Sequence, residues 1–251
     1  LSGVSRMNAT ARSPLTGGIA ESSCGGYFPP ALRLAGFDGL ILSGRAARPS
    51  VLLIENESVS VRDAGNLWGM GILECTRELH KTYGKKSTSL IIGPAGENGV
   101  PFACILNEAH HAFGRCGMGA VMGSKNLKAL VVQSGGGTLS LADPDRIKSL
   151  TRKLNPRIKD YLISQVLHDY GTSGNLEGHM YDGDVPMRNW TSSYDEEMAG
   201  ALTGSTLSET YLKKTGTCAY CAVACKRIVQ VEDGPFAVEE GPGPEYETVV
   251  A

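Results

Sequence analysis

The sequence of 251 residues lacks features that would mark several classes of protein. It contains no run of 18 apolar residues and therefore predicts no transmembrane helix. The formal net charge is only −2, and acidic and basic residues are mixed along the chain without a basic run. Neither nucleic acid nor a membrane surface is therefore an expected partner. Aromatic residues make up 6% and hydrophobic residues 41%, which is typical of an ordinary globular protein.

Glycine is abundant, with 32 residues where an average usage of about 7% would give roughly 18. The glycines cluster in the segments GGIAESSCGGYF, GPAGENG, GRCGMGAVMG and GPGPEYE. Such clusters indicate that the backbone comes close to something, which is either a ligand or a neighbouring strand or turn. The pattern alone favours neither explanation.

Seven cysteines are present, an odd number, and four of them are scattered along the chain. A secreted disulfide scaffold would be shorter and richer in cysteine. We therefore expect a reducing compartment, the cytoplasm, with thiolates that bind metal. The chain starts without Met and stops on the apolar stretch YETVVA, so we expect a protein that continues beyond both ends.

The first half predicts short strands separated by glycine-rich turns, because β-branched residues dominate its apolar runs. Two helices interrupt it, one around Tyr27–Leu34 and one near Ile72–Tyr83, where Ile72, Cys75, Leu79 and Tyr83 recur at helical spacing. The expected strands lie at 39–44, 50–55, 59–63, 89–93, 102–107 and 128–133.

From about residue 141 the pattern becomes helical, beginning with an Asp-Pro start signal at Asp143. Further helices are expected at 157–170 and 206–215. We therefore predict an α+β fold, with a β-rich domain over 1–135 and the first part of a mostly α-helical domain over 140–251. The SGGGT run at 134–138 is the expected linker.

Cys218, Cys221 and Cys225 carry the strongest chemical signal, because the run CAYCAVAC puts three thiols within eight residues. Thiolates bind zinc and iron–sulfur clusters strongly. Structural zinc usually takes two separated ligand pairs, whereas this run resembles a cluster loop whose fourth ligand is distant in sequence. Zinc and buried thiols remain the alternatives. Positive charge on Lys226 and Arg227 would balance an anionic cluster and raise its potential.

The glycine-rich segment 114–129 fits neither a Rossmann fingerprint, which should follow a strand and open a helix, nor a P-loop. Its exposed backbone N–H groups, with the forked donor of Arg115, would suit an anion. A glycine-rich β-bulge is the structural alternative.

Six motifs occur in order along almost the whole chain, and they are SPLTGGIAESSCGGYF, LAGFDGLILSG, IIGPAGENGVPFACILN, HHAFGRCGMGAVMGSKNLKAL, CAYCAVAC and GPEYET. Together they resemble the aldehyde:ferredoxin oxidoreductase family of tungsten-pterin enzymes. The resemblance implies a β-rich first domain that forms the base for a tungsten-bis-pterin cofactor, followed by helical domains with a [4Fe–4S] cluster.

The resemblance also implies roles for individual residues. The three cysteines of CAYCAVAC match cluster ligands, and Glu247 matches an acid beside the metal that can accept a proton. The Ala112 carbonyl matches a ligand of the magnesium that bridges the two pterin phosphates. Further positions expected to bind or adjoin the cofactor are Arg6, Ser23, Cys24, Gly25, His111, Arg115 and Gly117.

Three positions depart from the family pattern. Ser23 stands where Asn is frequent, which is tolerable if only its main chain is used. His111 stands where an Arg can lie between pterin and cluster, so we consider it a candidate for proton delivery. Cys116 replaces a usual Gly, and the sequence offers no reason for that. An insertion before Glu247 also changes the approach to this acid.

The implied reaction oxidises a small aldehyde to a carboxylate and passes electrons through the cluster to ferredoxin. The implied partners are ferredoxin or a related carrier, the missing C-terminal part of the same protein, and a second copy in a homodimer. Two alternatives stay open: a family member that works reductively, such as a benzoyl-CoA-type reductase subunit, and a non-catalytic iron–sulfur paralogue. Elemental analysis and turnover tests would separate them.

Overall fold

A computed structural model of the chain describes residues 1–133 and 137–246. The chain divides into two compact units, one formed by Ser5–Ala142 and the other by Leu1–Val4 together with Asp143–Ala251. In these described ranges, no helix combines the length and the hydropathy needed to cross a membrane.

The unit Ser5–Ala142 is built around a mixed six-stranded sheet with helices on both faces. Its elements run along the chain as β1 (Met7–Arg12), β2 (Ile19–Cys24), α1 (Phe28–Leu34), β3 (Ser50–Glu55), β4 (Ser58–Asp63), α2 (Ile72–Tyr83), β5 (Thr88–Ile91), α3 (Pro94–Glu97), β6 (Ile105–Asn107), β7 (His111–Phe113), α4 (Met118–Ser124) and β8 (Leu127–Gln133).

The strands of the main sheet are ordered β4-β3-β8-β5-β6-β7, and β1 pairs separately with β2. β3 and β8 run parallel at the centre and are buried along nearly their whole length, because both faces of the sheet are covered. One face packs on α1, α4 and the β1–β2 hairpin, with Phe28 and Phe113 fully buried. The other face packs on α2.

The predicted helix α2 has the expected bounds and the expected buried face. Cys75 and Leu79 are buried against the sheet, and Ile72 and Tyr83 pack at the edge of the same cluster. Burial raises the pKa of Cys75 to about 11, so this thiol belongs to the core and stays protonated at neutral pH. α1 also forms as predicted, with its prolines in the first turn, where the missing N–H costs nothing.

Two strand predictions differ from the structure. The segment 39–44 forms no strand, and Ile41 is almost fully exposed in the described chain. The apolar run at 39–44 therefore lies outside the sheet, in which β3 pairs with β4 and β8. The strand expected at 102–107 begins only at Ile105, because Phe102 lies in a turn and is 73% exposed.

The second unit combines helices with a three-stranded antiparallel sheet. Its helices pack around Leu176, Met180 and Val185. The elements are α5 (Pro144–Lys159), α6 (Leu162–Tyr170), α7 (Leu176–Asp182), α8 (Glu196–Leu202), α9 (Gly204–Thr210), β9 (Leu212–Gly216), β10 (Lys226–Val231) and β11 (Val238–Pro242).

The helix start predicted at Asp143 is confirmed, since its carboxylate accepts a hydrogen bond from the Arg146 N–H. The helix expected over 206–215 ends at Thr210, and the chain continues as β9 because Leu212–Gly216 pairs with β10. The sheet β11-β10-β9 was not predicted. It matters for function because the cysteine run connects β9 to β10.

Candidate functional site

The β1–β2 hairpin positions the first group of candidate residues. Met7 pairs with Cys24 and Asn8 with Ser23, and Arg6 directly precedes β1. Arg6 and Ser23 are exposed, whereas the Cys24 side chain is buried in the core. At Cys24 only the main chain is therefore available to a ligand.

The β6–β7 hairpin contacts the end of this first hairpin. The Asn107 side-chain amide donates to the Gly25 carbonyl at 2.5 Å, and the Tyr27 N–H donates to the Glu108 carboxylate at 3.3 Å. Gly26 has a φ of +101°, and a Cβ there would lie 2.4 Å from Asn107 Nδ2 and 2.9 Å from His111 Nδ1. Only glycine fits between these two side chains.

The segment after β7 lies beside β2 of the first hairpin. The Arg115 N–H reaches the Ser22 hydroxyl at 3.5 Å, and Ala112 and Arg115 are exposed beside it. The structure thus places Ser23, Cys24 and Gly25 at the end of β2, the His111 side chain beside Gly26 and the Arg115 backbone beside Ser22. Arg6 precedes β1, and Ala112 lies on β7. Backbone N–H groups and guanidinium groups can bind an anion such as a phosphate, so we call this region the anion site.

Gly117 has a packing role that the sequence left open. It precedes α4 with a φ of +72°, and a Cβ there would lie 1.9 Å from the Pro101 carbonyl oxygen. A Cβ on Gly119 would lie 2.4 Å from the Cys104 carbonyl oxygen, and one on Gly123 would lie 1.9 Å from the Gly96 carbonyl oxygen. For these three glycines, close backbone contact is the explanation that the structure supports, and the segment forms a helix instead of a β-bulge.

The second candidate site is the loop that carries the three cysteines between β9 and β10. The Cys221 N–H donates to the Cys218 carbonyl at 3.1 Å, and the Thr217 hydroxyl lies 2.9 and 2.8 Å from the carbonyls of Cys218 and Cys221. Tyr220 and Ala224 both adopt positive φ, which allows the loop to turn tightly. The Ala222 N–H donates to the Ser2 hydroxyl at 2.7 Å.

The thiols of this loop affect one another electrostatically. Burial raises the pKa of Cys225, and the negative charges of Glu245, Cys218 and Cys221 raise it further. Among the described residues, however, no three His, Cys, Asp or Glu side chains form a group that could hold a single metal ion. The three thiols share one half-buried loop and are not linked by disulfides.

The polypeptide after β11 passes beside the cysteine loop. The Thr172 hydroxyl donates to the Glu245 carboxylate at 3.0 Å and accepts from the Tyr246 N–H at 2.9 Å. The Gly243 N–H donates to the Arg227 carbonyl at 2.8 Å. Glu247, the predicted proton acceptor, lies outside the described residues.

Comparison with known protein families explains why these two sites occur in one chain. Residues 1–134 match the family description "Aldehyde ferredoxin oxidoreductase, N-terminal domain", and residues 149–251 match "Aldehyde ferredoxin oxidoreductase, domains 2 & 3". The chain belongs to the aldehyde ferredoxin oxidoreductase family. The resemblance inferred from the six sequence motifs is thereby confirmed.

Several relatives of the aldehyde ferredoxin oxidoreductase family align with nearly the whole chain. The tungsten-containing aldehyde ferredoxin oxidoreductase of Pyrococcus furiosus is 37% identical over 249 residues, which is 98% of this chain and 40% of that protein. The aliphatic sulfonate oxidoreductase, WOR-like subunit, of the same organism is 32% identical over 258 residues, covering 96% and 40%. The chain spans about 40% of the length of these curated relatives.

A solved structure shows the same fold. It is the active site complex BamBC of benzoyl coenzyme A reductase with 1,5-dienoyl-CoA, which superposes with a TM-score of 0.75 at 26% identity. The match covers 93% of this chain and 37% of that chain. This likeness confirms the α+β architecture.

Two positions that the sequence analysis singled out as departures from the family pattern have defined local geometry. Cys116 has a φ of +69°, a left-handed conformation that favours glycine. Its thiol lies 3.4 Å from the Glu21 carbonyl. The Ser23 hydroxyl donates to the Asn8 side chain.

Asn107 is a residue of the site that the sequence analysis missed. It is fully buried at the end of β6 and joins the two hairpins through Gly25. The signal that could have identified it is a polar amide that ends a short apolar strand ahead of a turn, in ILNEAH.

Proposed function

We propose that this chain forms the cofactor base and part of the cluster site of a tungsten-bis-pterin oxidoreductase that oxidises aldehydes to carboxylates and transfers the electrons through a [4Fe–4S] cluster to ferredoxin. The cysteine loop is the observation that carries the proposal, because its three thiols lie in one short, half-buried loop between β9 and β10. Three closely spaced cysteines of this kind are typical of iron–sulfur cluster loops, in which each cysteine binds a different iron.

The anion site at the end of the β1–β2 hairpin has the donors that two pterin phosphates would need. In the proposal, the guanidinium of Arg6 and the main chain of Ser23–Gly25 bind phosphate oxygens, with Arg115 at the rim. The carbonyl of Ala112 would be a ligand of the magnesium ion that accompanies the cofactor. Gly117 acts by setting the backbone that carries Arg115.

Tungsten–pterin cofactors supply two-electron redox chemistry at the substrate carbon, and the cluster accepts those electrons singly. The chain itself must supply proton transfer. In the proposal Glu247 accepts the proton released on oxidation, and His111 can relay a proton beside Gly26. Cys218, Cys221 and Cys225 bind three irons, and the fourth ligand comes from sequence outside this chain.

Benzoyl-CoA-type reduction is a second candidate, since the solved complex that superposes on this chain is an active-site complex of benzoyl coenzyme A reductase. His111, which packs against Gly26 in the anion site, would then deliver protons to the substrate instead of removing them. The remaining partners in the proposal are ferredoxin, a second copy of the protein and the rest of the polypeptide. A reducing compartment such as the cytoplasm would suit thiols that are not linked by disulfides in the described chain.

The test uses the full-length protein purified without oxygen. We expect about one tungsten and four irons per chain, together with reduction of ferredoxin by small aldehydes. An aromatic CoA thioester as the only productive substrate would favour the reductive candidate. Iron without tungsten or molybdenum would instead support the non-catalytic paralogue and refute the enzymatic proposal.

Substitution of Glu247 tests the proton-transfer step separately. Glu247→Gln should lower kcat by about 10²–10⁴-fold, because a missing general base costs that much, while metal content is unchanged. Glu239→Gln, an exposed acid on β11, is the matched control and should leave kcat unaltered. Equal rates in the two variants would remove Glu247 from the mechanism.

A further inference from the structure

Arg227 is a buried cation whose hydrogen bonds all go to backbone carbonyls. Only 3% of the residue is exposed, although it directly follows the half-buried cysteine loop. Its Nε donates to the Cys225 carbonyl at 3.2 Å and its Nη1 to the Asp169 carbonyl at 2.7 Å. Its Nη2 donates to the carbonyls of His168 and, at 3.5 Å, Ala224.

These contacts join the cysteine loop to the end of a helix. The carbonyls of His168 and Asp169 belong to the last turn of α6, where backbone carbonyls have no partner within the helix. Arg227 satisfies them and at the same time holds the last turn of the loop. Gly171 has a φ of +71°, and a Cβ there would lie 3.3 Å from the Arg227 side chain, so the arginine packs tightly after the helix.

The charge of Arg227 has no paired carboxylate among the described residues. Asp169 and Glu245 lie within electrostatic range, but the Asp169 side chain is on an exposed residue and Glu245 is bound by the Thr172 hydroxyl. The thiolate form of Cys225 is the other negative group that acts on Arg227. A buried charge is costly unless an opposite charge compensates it, and arginine does not lose its proton in proteins.

We propose that Arg227 is the positioning residue of the cysteine loop and the internal counter-charge of the cluster bound there. The inference rests on the proposed function, since it requires an anionic cluster on Cys218, Cys221 and Cys225. Within residues 1–133 and 137–246, Arg227 then has no paired carboxylate before the cluster binds, although Glu245 and Asp169 act on it from a distance. Because reduction adds one negative charge to the cluster, a cation held next to Cys225 stabilises the reduced state and raises the reduction potential.

The experiment measures the cluster potential and iron content of full-length variants by EPR-monitored redox titration. Arg227→Gln keeps hydrogen-bond donors but removes the charge, and should lower the potential by about 59 mV, which is a tenfold change in a one-electron equilibrium. Arg227→Lys should restore most of the potential. Lys214→Gln is the matched control, because it removes an equal charge from the neighbouring strand β9, where the side chain is 64% exposed and screened.

If Arg227→Gln loses the cluster while Arg227→Lys retains it near the wild-type potential, the inference also holds. A wild-type potential in Arg227→Gln, or loss of iron in both variants, would overturn the inference. Absence of iron from the wild-type protein would refute the proposed function instead, so the two failures are distinguishable.

Discussion

Gly123 illustrates how one missing side chain sets the packing around the anion site. It lies on α4 where this helix contacts α3, and a Cβ would stand 1.9 Å from the Gly96 carbonyl oxygen. Both neighbours are backbone, so neither can move aside as a flexible side chain would. α4 in turn follows directly after Arg115 and Gly117, whose backbone it positions.

Gly123→Ala should therefore destabilise the protein by at least about 1–3 kcal/mol, because overpacking of a close backbone contact costs that much. The measurement is the unfolding temperature of the full-length variant. Gly200→Ala is the matched control, since Gly200 is also helical but has nothing within 4 Å of an added Cβ. The control should stabilise by about 0.4–1 kcal/mol. Equal shifts for both variants would contradict the packing explanation.

For single residues, the sequence could predict which side chains can bind a metal, but not how buried a side chain is or what it contacts. The three loop cysteines could be identified from spacing alone, because spacing along the chain limits which thiols can share a loop. The burial of Asn107 and Arg227 could not, since their partners Gly25 and His168 are distant in sequence. The positive φ of Cys116 is likewise set by the surrounding fold and could not be predicted from the sequence.

Among the elements, those with strong side-chain patterns could be predicted and those with weak patterns could not. α2 has a clear buried stripe, and its bounds match the expectation. The hairpin β1–β2 was missed because its inward residues are Ala20, Ser22 and Cys24, which are too small to show an apolar alternation. The opposite error is the strand predicted at 39–44, which does not form. This apolar run lies outside the sheet, and Ile41 is exposed.

One buried ion pair joins three elements of the first unit. Lys128 on β8 and Glu97 at the end of α3 have side chains 0% and 4% exposed, with Nζ and Oε1 2.5 Å apart. Lys128 also donates to the Met70 carbonyl at 2.8 Å, and Glu97 accepts from the Gly69 N–H at 2.9 Å. The pair thus connects β8 to the loop before α2 and to the short helix α3.

Lys128→Met should destabilise the protein by about 3–5 kcal/mol, because it leaves the Glu97 charge buried and uncompensated. Adding Glu97→Gln to this variant should recover part of the loss, since the second change removes that charge. Denaturant unfolding of the two single variants and the double variant gives the coupling free energy. Lys81→Met, at an exposed ion pair with Glu78, is the control and should cost at most about 0.5 kcal/mol. Additive effects of Lys128 and Glu97 would show that the pair does not act as a unit.

For the whole molecule, the two candidate sites lie in different compact units, the anion site in Ser5–Ala142 and the cysteine loop in the other. The sequence indicated both sites because six motifs with local chemistry recur in the family order. It gave no sign that the cysteine loop joins two strands of a sheet, since the strands β9 and β11 are short and largely polar. Because these strands are hard to recognise, the sequence predicted a mostly helical second unit.

Because the two candidate sites lie in separate units, we expect a substitution at one site to remove the cofactor bound there and to leave the other cofactor in place in the full-length protein. Cys221→Ala should abolish the visible absorption and the reduced-state EPR signal of the cluster while pterin and tungsten are retained, because the anion site keeps all of its donors. Arg6→Ala should lower pterin and tungsten content while iron is retained, since it removes only a phosphate contact at the hairpin. Cys116→Ala, at an exposed cysteine outside the loop, should change neither content. Unchanged iron in Cys221→Ala, or full tungsten loading in Arg6→Ala, would exclude that residue from its proposed site, because each site would then be complete without it.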